Sequence, residues 1–363
     1  MNLFESLGRK ALFTLDPETA HGLSITALKT GMVPACPVKR DPALGVTLAG
    51  LDFPNPLGLA AGYDKNAEVP DAALKLGFGF AEIGTITPRP QSGNPKPRIF
   101  RLVKDEGVIN RLGFNNEGHA AALARLEARR GRPGIVGVNI GANKDSEDFA
   151  ADYEKGIETF AHLADYFTAN ISSPNTPGLR NLQAGEALAR LLDRIFVRLA
   201  SQERQPPVFL KVAPDVTNAE IEEIARVAGA APLSALIVSN TTLSRAGLRN
   251  KALSGEAGGL SGKPLFDRAT IVLARFRQAL PAAMPIIGVG GIDSAETAWA
   301  KLEAGASLLQ LYSSMIYHGP SLPARLVNGL SDRLASDGAS TISAVTGRRT
   351  AEWAERKLPE ETA

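Results

Sequence analysis

Eight short runs of uninterrupted apolar residues, separated by helix-like stretches, constrain the fold of this chain more than any other feature. They fall at residues 57–61, 80–86, 134–140, 166–171, 208–212, 235–239, 286–289 and 308–311. Most close in or run into Gly, Ser, Asn or Thr. Continuous rather than alternating apolarity suits strands covered on both faces, as in a parallel sheet sandwiched by its crossover helices.

The intervening stretches carry helical spacing. Ala121, Leu123 and Leu126 recur among charged residues over 117–130, and Leu188, Leu191, Leu192, Ile195 and Leu199 over 186–200. A helix over 218–229 is introduced by Thr217, with Glu220 three residues on to complete a capping box, and Gly229 is expected to stop it. Eight strands alternating with helices is the count for a (β/α)8 TIM barrel, for which roughly 250 residues are typical. An open doubly wound sheet is the alternative, disfavoured because no GxGxxG opens a first helix. The expected organisation is one α/β barrel over residues 43–345, a two-helix extension over 1–42 and a tail over 346–363.

Bulk properties exclude several function classes. Forty basic against 38 acidic side chains give a net charge of +2, which is no electropositive surface for nucleic acid. Cys36 is the only cysteine, so neither an intramolecular disulfide nor a thiolate zinc cluster can form. No run approaches the ~18 apolar residues that span a bilayer. The start is interrupted by Glu5, Arg9 and Lys10, unlike a secretory signal. In the extension, Leu3, Phe4, Leu7, Ala11 and Leu12 form a stripe opposite these charges. Asp16-Pro17 then reads as N-cap and first residue of a second helix that ends near Gly31. Two such helices can pack on a barrel or lie in a membrane interface, and pattern alone leaves both open.

Barrel chemistry sits at the carboxyl ends of the strands. Reading past each run gives Gly62 and Lys65, then Thr85, then Asn139, then Asn170, Ser173 and Asn175. Lys211 follows, then Ser239, Asn240 and Thr241, then Gly288, Gly290 and Gly291, and finally Tyr312 and Ser313. No carboxylate pair of the glycosidase kind appears, and no His/Asp/Glu cluster suggests a metal. The inventory suits a large anionic ligand with many hydrogen bonds. The glycine-rich stretch 286–294, opening a helix at about Ser294, suits a phosphate, with Gly262, Tyr312 and Ser313 as further candidates. Lys211 can stabilise an anionic reduced flavin, form a Schiff base, or cap a carbonyl. In the segment 169–183, Pro174 and Pro177 stiffen a loop that holds Ser173. That serine is either a turn serine or a reacting hydroxyl, which needs a relay to act as a base. Residues 108–118 read as a polar loop, with Asn110, Arg111, Asn115 and Asn116 around a Gly-Phe turn.

Six motifs in order resemble the dihydroorotate dehydrogenase family over residues 45 to 330: AAGYDKN from Ala60, EIGTITPRPQSGNPKPRIFR from Glu82, INRLGFNN from Ile109, NISSPNTPGLR from Asn170, VSNTT from Val238 and GVGGI from Gly288. The resemblance implies FMN and the oxidation of dihydroorotate to orotate in pyrimidine synthesis. It assigns Ala61, Gly62, Lys65, Thr85, Asn139, Asn170, Lys211, Ser239, Gly262, Gly290, Gly291, Tyr312 and Ser313 to FMN. It gives Lys65, Asn110, Arg111, Leu112, Gly113, Phe114, Asn170, Asn175, Asn240 and Thr241 to the substrate, and makes Ser173 the base. Serine rather than cysteine there, with the amphipathic extension, resembles the quinone-dependent membrane class and puts His21 and Arg101, with Tyr312, near the quinone. A monomer lying peripherally on the cytoplasmic face of the cell membrane is the corresponding expectation, with no metal and no nucleic acid. The alternatives are a flavin dehydrogenase of another dihydropyrimidine, a Schiff-base aldolase using Lys211, and a non-catalytic phosphate-ligand binder.

Overall fold

The structure, a computed structural model, describes residues 3–176 and 178–360, with side chains from Gly8 onward. Pro177 of the expected stiff loop and the Leu3, Phe4 and Leu7 side chains of the expected stripe lie outside the described residues. In chain order the strands are β1 Val46–Leu48, β2 Leu51–Phe53, β3 Leu57–Leu59, β4 Phe80–Ile86, β5 Ile99–Leu102, β6 Gly107–Asn110, β7 Ile135–Ile140, β8 Tyr166–Asn170, β9 Val208–Val212, β10 Ala235–Val238, β11 Gly259–Gly262, β12 Ile286–Val289 and β13 Leu308–Leu311. The strands β3, β4, β7, β8, β9, β10, β12 and β13 pair in parallel in that order and close on themselves. This is a (β/α)8 barrel, and each of its strands falls on one of the eight apolar runs. Every residue of β4, β8 and β9 is buried, the physical reason those runs show no alternation.

The helices form where caps and apolar spacing direct them. Asp16 accepts hydrogen bonds from the Glu18 and Thr19 amides, both at 3.0 Å, and starts α2 (Pro17–Lys29) behind α1 (Leu3–Phe13). Thr217 and Glu220 make the reciprocal capping box. That helix runs to Ala230, past Gly229, so the expected glycine stop does not occur. A glycine inside a helix costs only ~1 kcal/mol, and here a Cβ would lie 3.1 Å from the Pro281 ring. Gly229 makes room for a neighbour rather than ending the helix. Residues Thr350–Glu355 form a last short helix, whose buried Trp353 meets the Phe266 ring edge-on at 5.9 Å.

Five strands, β1, β2, β5, β6 and β11, fall on none of the apolar runs, and β1 and β2 pair as a small antiparallel hairpin. The antiparallel sheet β5-β6-β11 joins the segment after β4 to the segment after β10. It stands over the carboxyl end of the barrel on its own small core of Leu102, Ile109, Leu248 and Leu260. Residues 107–110, read in sequence as the start of a polar loop, are therefore a strand.

Inside the barrel, Tyr166 stacks on Phe209 at 4.6 Å and 27° and lies opposite Gly137 in the register. A Cβ on Gly137 would fall inside the Tyr166 ring, and the buried ring has no free space to turn into. Gly137→Ala is expected to destabilise the fold by about 1–3 kcal/mol through overpacking. Thermal unfolding of the two proteins side by side tests this, and equal midpoints would contradict it.

Candidate functional site

The barrel mouth, the β5-β6-β11 sheet and the two N-terminal helices enclose a cavity of about 660 Å³. Its floor is organised by Glu82, a fully buried carboxylate that the strand β4 points into the barrel. Glu82 accepts hydrogen bonds from Asn139 Nδ2 (2.7 Å), Tyr166 Oη (3.1 Å), Thr168 Oγ1 (3.0 Å) and Gln310 Nε2 (2.7 Å). Because the Asn139 amide donates downward, its Oδ1 faces up and accepts from Thr85 Oγ1 at 2.6 Å. Thr85 Oγ1 in turn accepts from Asn170 Nδ2 at 2.8 Å. Asn170 Oδ1 then accepts from Ser172 Oγ at 3.0 Å and Asn240 Nδ2 at 3.3 Å. One carboxylate thus sets the direction of a relay from the barrel floor to the β8 loop. Lys211 stands buried on the neighbouring strand; desolvation lowers its pKa and Glu82 opposes that shift.

Above the floor, Ser173 is buried at the start of the β8 loop, and its Oγ accepts from the Asn175 amide at 3.2 Å. Asn175 Nδ2 donates to the Asn110 carbonyl at 3.2 Å, joining this loop to β6. Phe114 takes φ +52°, a left-handed conformation that is costly for a side-chain-bearing residue. The peptide bonds Gly84–Thr85 and Val238–Ser239, at two strand ends facing the mouth, are cis. Lys65 follows β3. Burial pushes its ammonium down to about 8, with Glu18 and Asp64 raising it and Arg98 lowering it.

The extension closes the outer side. His21 Nδ1 lies 3.4 Å from Tyr312 Oη, its ring meets Tyr63 edge-on at 5.2 Å, and Tyr63 Oη is 3.1 Å from Ser24 Oγ. Arg101 donates to the Leu12 carbonyl at 3.0 Å and to those of Phe13 and Leu15. It thus satisfies the carboxyl end of α1 with a cation, where a helix end favours one.

Nearly all the residues singled out in sequence line this one cavity: Ala61, Gly62, Lys65, Thr85, Asn110, Leu112, Gly113, Phe114, Asn170, Ser173, Asn175, Lys211, Ser239, Asn240, Thr241, Gly262, Gly290, Gly291, Tyr312, Ser313, His21 and Arg101. Two stand apart. Asn139 lies one layer below, in the Glu82 relay. The Arg111 side chain turns away to pair with Glu256 at 2.6 Å and cover the Phe100 ring at 4.6 Å. Outside the mouth, Glu106, Asp293 and His318 gather, a cluster their sequence separation conceals. The Lys263 ammonium already faces it, 3.1 Å from Glu106 and 3.6 Å from Asp293.

A family model described as dihydroorotate dehydrogenase matches residues 43–334. The chain belongs to the dihydroorotate dehydrogenase family. It is 64% identical over 360 residues to the dihydroorotate dehydrogenase (quinone) of Brucella melitensis biotype 2, covering 98% of this chain and 99% of that one. The enzyme of the same name from Brucella ovis matches to the same extent. Ligand-free DHODH of Eimeria tenella superposes with a TM-score of 0.88 at 40% identity, over 92% of this chain and 99% of that one. Within the family motifs, sequence reading passed over Glu82, although a lone acid inside an otherwise apolar strand signals a buried charge that needs partners. It also missed Arg98, Ser172 and the Arg180–Asp215 pair at 3.2 Å. Arg180 further donates to the carbonyls of Ser172 (3.1 Å) and Thr241 (3.2 Å), bracing two loops of the mouth.

Burial, and secondarily the Lys65 charge, push the His21 imidazole down to about 3. It is therefore expected to stay neutral between pH 5 and 8. Nitrogen chemical shifts of labelled histidine follow this directly, and a midpoint for His21 inside that range would contradict it.

Proposed function

We propose that this chain oxidises (S)-dihydroorotate to orotate in de novo pyrimidine synthesis, holding FMN as its cofactor and passing the electrons to a membrane quinone. The observation that carries this is the convergence of Ser173, two lysines, the amides of Asn110, Asn170, Asn175 and Asn240, and a glycine turn on one cavity, in a member of this family.

The donor set fits FMN. Gly290 and Gly291 line the cavity with φ of +106° and +73°, and no backbone bond engages their N–H groups among the described residues. Those amides, with the Ser313 hydroxyl and the start of the Ala295–Glu303 helix nearby, are chemistry for a phosphate. Ser313 is itself fixed by Ser261 Oγ at 2.7 Å. Gly62, at φ +105°, has only the Tyr312 ring within reach of a Cβ, leaving a flat approach for a ring system. Thr85, Asn170 and Ser239 supply neutral hydrogen-bonding groups, and Lys211 the positive charge. FMN bound here supplies a hydride acceptor.

The remaining work falls to side chains of this chain. Lys65 is placed to meet the substrate carboxylate, and Asn110, Asn175, Asn240 and Thr241 match the donors and acceptors of a cyclic ureide. Ser173 Oγ removes the C5 proton. A hydroxyl is a weak base, so its position is what counts: buried, and oriented by the Asn175 amide. Burial of the mouth beneath β5, β6 and β11 keeps water from competing.

The extension suits a lipid-soluble acceptor at a membrane surface. Leu15, Leu23 and Met32 are exposed on it, the last 77% exposed, beside the cations Lys10 and Lys29. Among the described residues no helix is long and apolar enough to cross a membrane. A peripheral site on the cytoplasmic face, with quinone entering past His21, Arg101 and Tyr312, fits these features.

The Ser173→Ala enzyme is expected to keep its flavin while dihydroorotate bleaches it roughly 10²–10⁴-fold more slowly. Anaerobic stopped-flow absorbance measures this, and a wild-type rate would remove Ser173 as the base. A purified protein that neither carries nor takes up FMN would overturn the reading as a whole.

A further inference from the structure

We propose that Glu18, on the N-terminal extension, is a positioning residue of the dihydroorotate site: it anchors Arg98, which holds the turn at residues 92–94 against the substrate loops and balances the charge facing Lys65. The inference rests on the reading above, that the cavity takes dihydroorotate.

Arg98 is only 6% exposed. Its Nε donates to Glu18 Oε2 at 3.0 Å and its Nη2 to Glu18 Oε1 at 2.6 Å, the two-pronged geometry that suits guanidinium and carboxylate. Its Nη1 donates to the carbonyls of Ser92 (2.5 Å) and Asn94 (2.8 Å). The turn these carbonyls belong to is tight. Gly93 has φ +77°, and a Cβ there would strike the Leu112 carbonyl and the Arg98 guanidinium. Asn94 then passes the constraint inward. Its amide donates to the Leu112 carbonyl at 3.0 Å, and its Nδ2 to the carbonyls of Arg111 (3.0 Å) and Asn175 (3.4 Å). The Asn175 amide donates to Ser173 Oγ. A continuous path of hydrogen bonds therefore runs from α2 to the serine, through Arg98, Asn94 and Asn175.

An acidic residue in the first turn of a helix is favoured by the helix dipole alone, but that would not require Glu18 to reach across to a buried arginine. The second strand of the argument is electrostatic. The charged and titratable groups facing Lys65 are Glu18 and His21 from α2, Arg98 from the segment beneath β5, and Asp64 beside it in the chain. His21 is neutral, so Glu18 and Asp64 sustain the ammonium against burial and Arg98. Without Glu18, Arg98 stands unopposed and Lys65 gives up its proton at a lower pH. The sign follows: Lys65 attracts an anionic ligand while protonated, so affinity declines as pH rises through about 8. Loss of the Glu18 charge moves that decline to lower pH.

The test uses the full-length, flavin-loaded protein. Orotate Kd is read from the flavin spectrum between pH 6 and 9, and the limiting rate from anaerobic bleaching by dihydroorotate. Glu18→Gln is expected to raise Kd roughly tenfold at pH 8, to shift the alkaline decline to lower pH, and to change the limiting rate far less. Glu18→Asp keeps the charge but shortens the reach, and is expected to raise Kd with the decline at its wild-type pH. An unchanged Kd in Glu18→Gln overturns the proposal. So does a Kd raised equally at every pH, the signature of a merely loosened helix, or a decline that moves as far in Glu18→Asp as in Glu18→Gln. Failure of the functional reading shows separately, as wild-type flavin that dihydroorotate does not bleach.

Discussion

A single buried carboxylate governs how the barrel mouth is wired. Placing Glu82 in a fully enclosed interior would cost several kcal/mol if it stood alone, and the fold offsets this with donors from β7, β8 and β13. Two of those donors, from Asn139 and Gln310, are amide NH2 groups, which can only donate. The orientation of the Asn139 amide follows, then that of Thr85, then that of Asn170. The same carboxylate opposes the desolvation that lowers the pKa of the buried Lys211. The interior below the site is therefore polar and committed around the carboxylate, though Gln310 Oε1 is left without a partner there. What remains free to meet a ligand is the upper face of the relay.

Above that face, three separate pieces of chain share the work of closure. The antiparallel sheet of β5, β6 and β11 ties two distant insertions together, and Tyr317 Oη pins it by donating to the Gly107 carbonyl at 2.6 Å. The Arg180–Asp215 pair braces the loops after β8, β9 and β10, with Asp215 also accepting from the Thr242 hydroxyl and the Leu243 amide. The third piece is the extension. The loop that carries Ser173 is thus surrounded by fixed supports, which suits the proposed use of its hydroxyl as a weak base, where accurate placement counts most.

Much of this was legible in sequence, for a physical reason. A strand buried on both faces has to be apolar throughout, so all eight barrel strands stood out, and the caps Asp16 and Thr217 announced their helices. Many candidate site residues were legible because barrel geometry brings every strand's carboxyl end to one mouth, whereas Leu112, Gly113, Phe114, His21 and Arg101 entered only through the family resemblance. The sheet over the mouth was not, since β5, β6 and β11 are short, partly exposed, and interleaved with Asn, Arg and Gly that read as loop. The supporting charges were hidden for another reason. Glu18 with Arg98, Arg180 with Asp215 and Glu82 with its donors are defined by partners 35 to 228 residues away, and no local period encodes such a pairing. Arg111 shows the converse limit, since motif position alone gave no sign that its side chain would turn to Glu256.

The extension combines two kinds of attachment that respond differently to their surroundings. Its apolar contact with the barrel is small, with only Ala20 and Leu28 of α2 buried, while Leu23 faces outward. Polar ties do most of the fixing. Lys29 meets Glu68 at 3.2 Å, with the lysine side chain 57% exposed, and an exposed pair of this kind contributes little and is screened by salt. The Glu18–Arg98 pair is enclosed, and separating it would leave a guanidinium buried against two carbonyls without its counter-ion. The last turn of α2 is therefore held by the buried Leu28 rather than by its ion pair, and the first turn by the enclosed Glu18–Arg98 pair. On the proposed reading, an acceptor entering beside the extension leaves the turn that carries Glu18 in register with the loops of Asn94 and Asn175, because the enclosed pair holds it there.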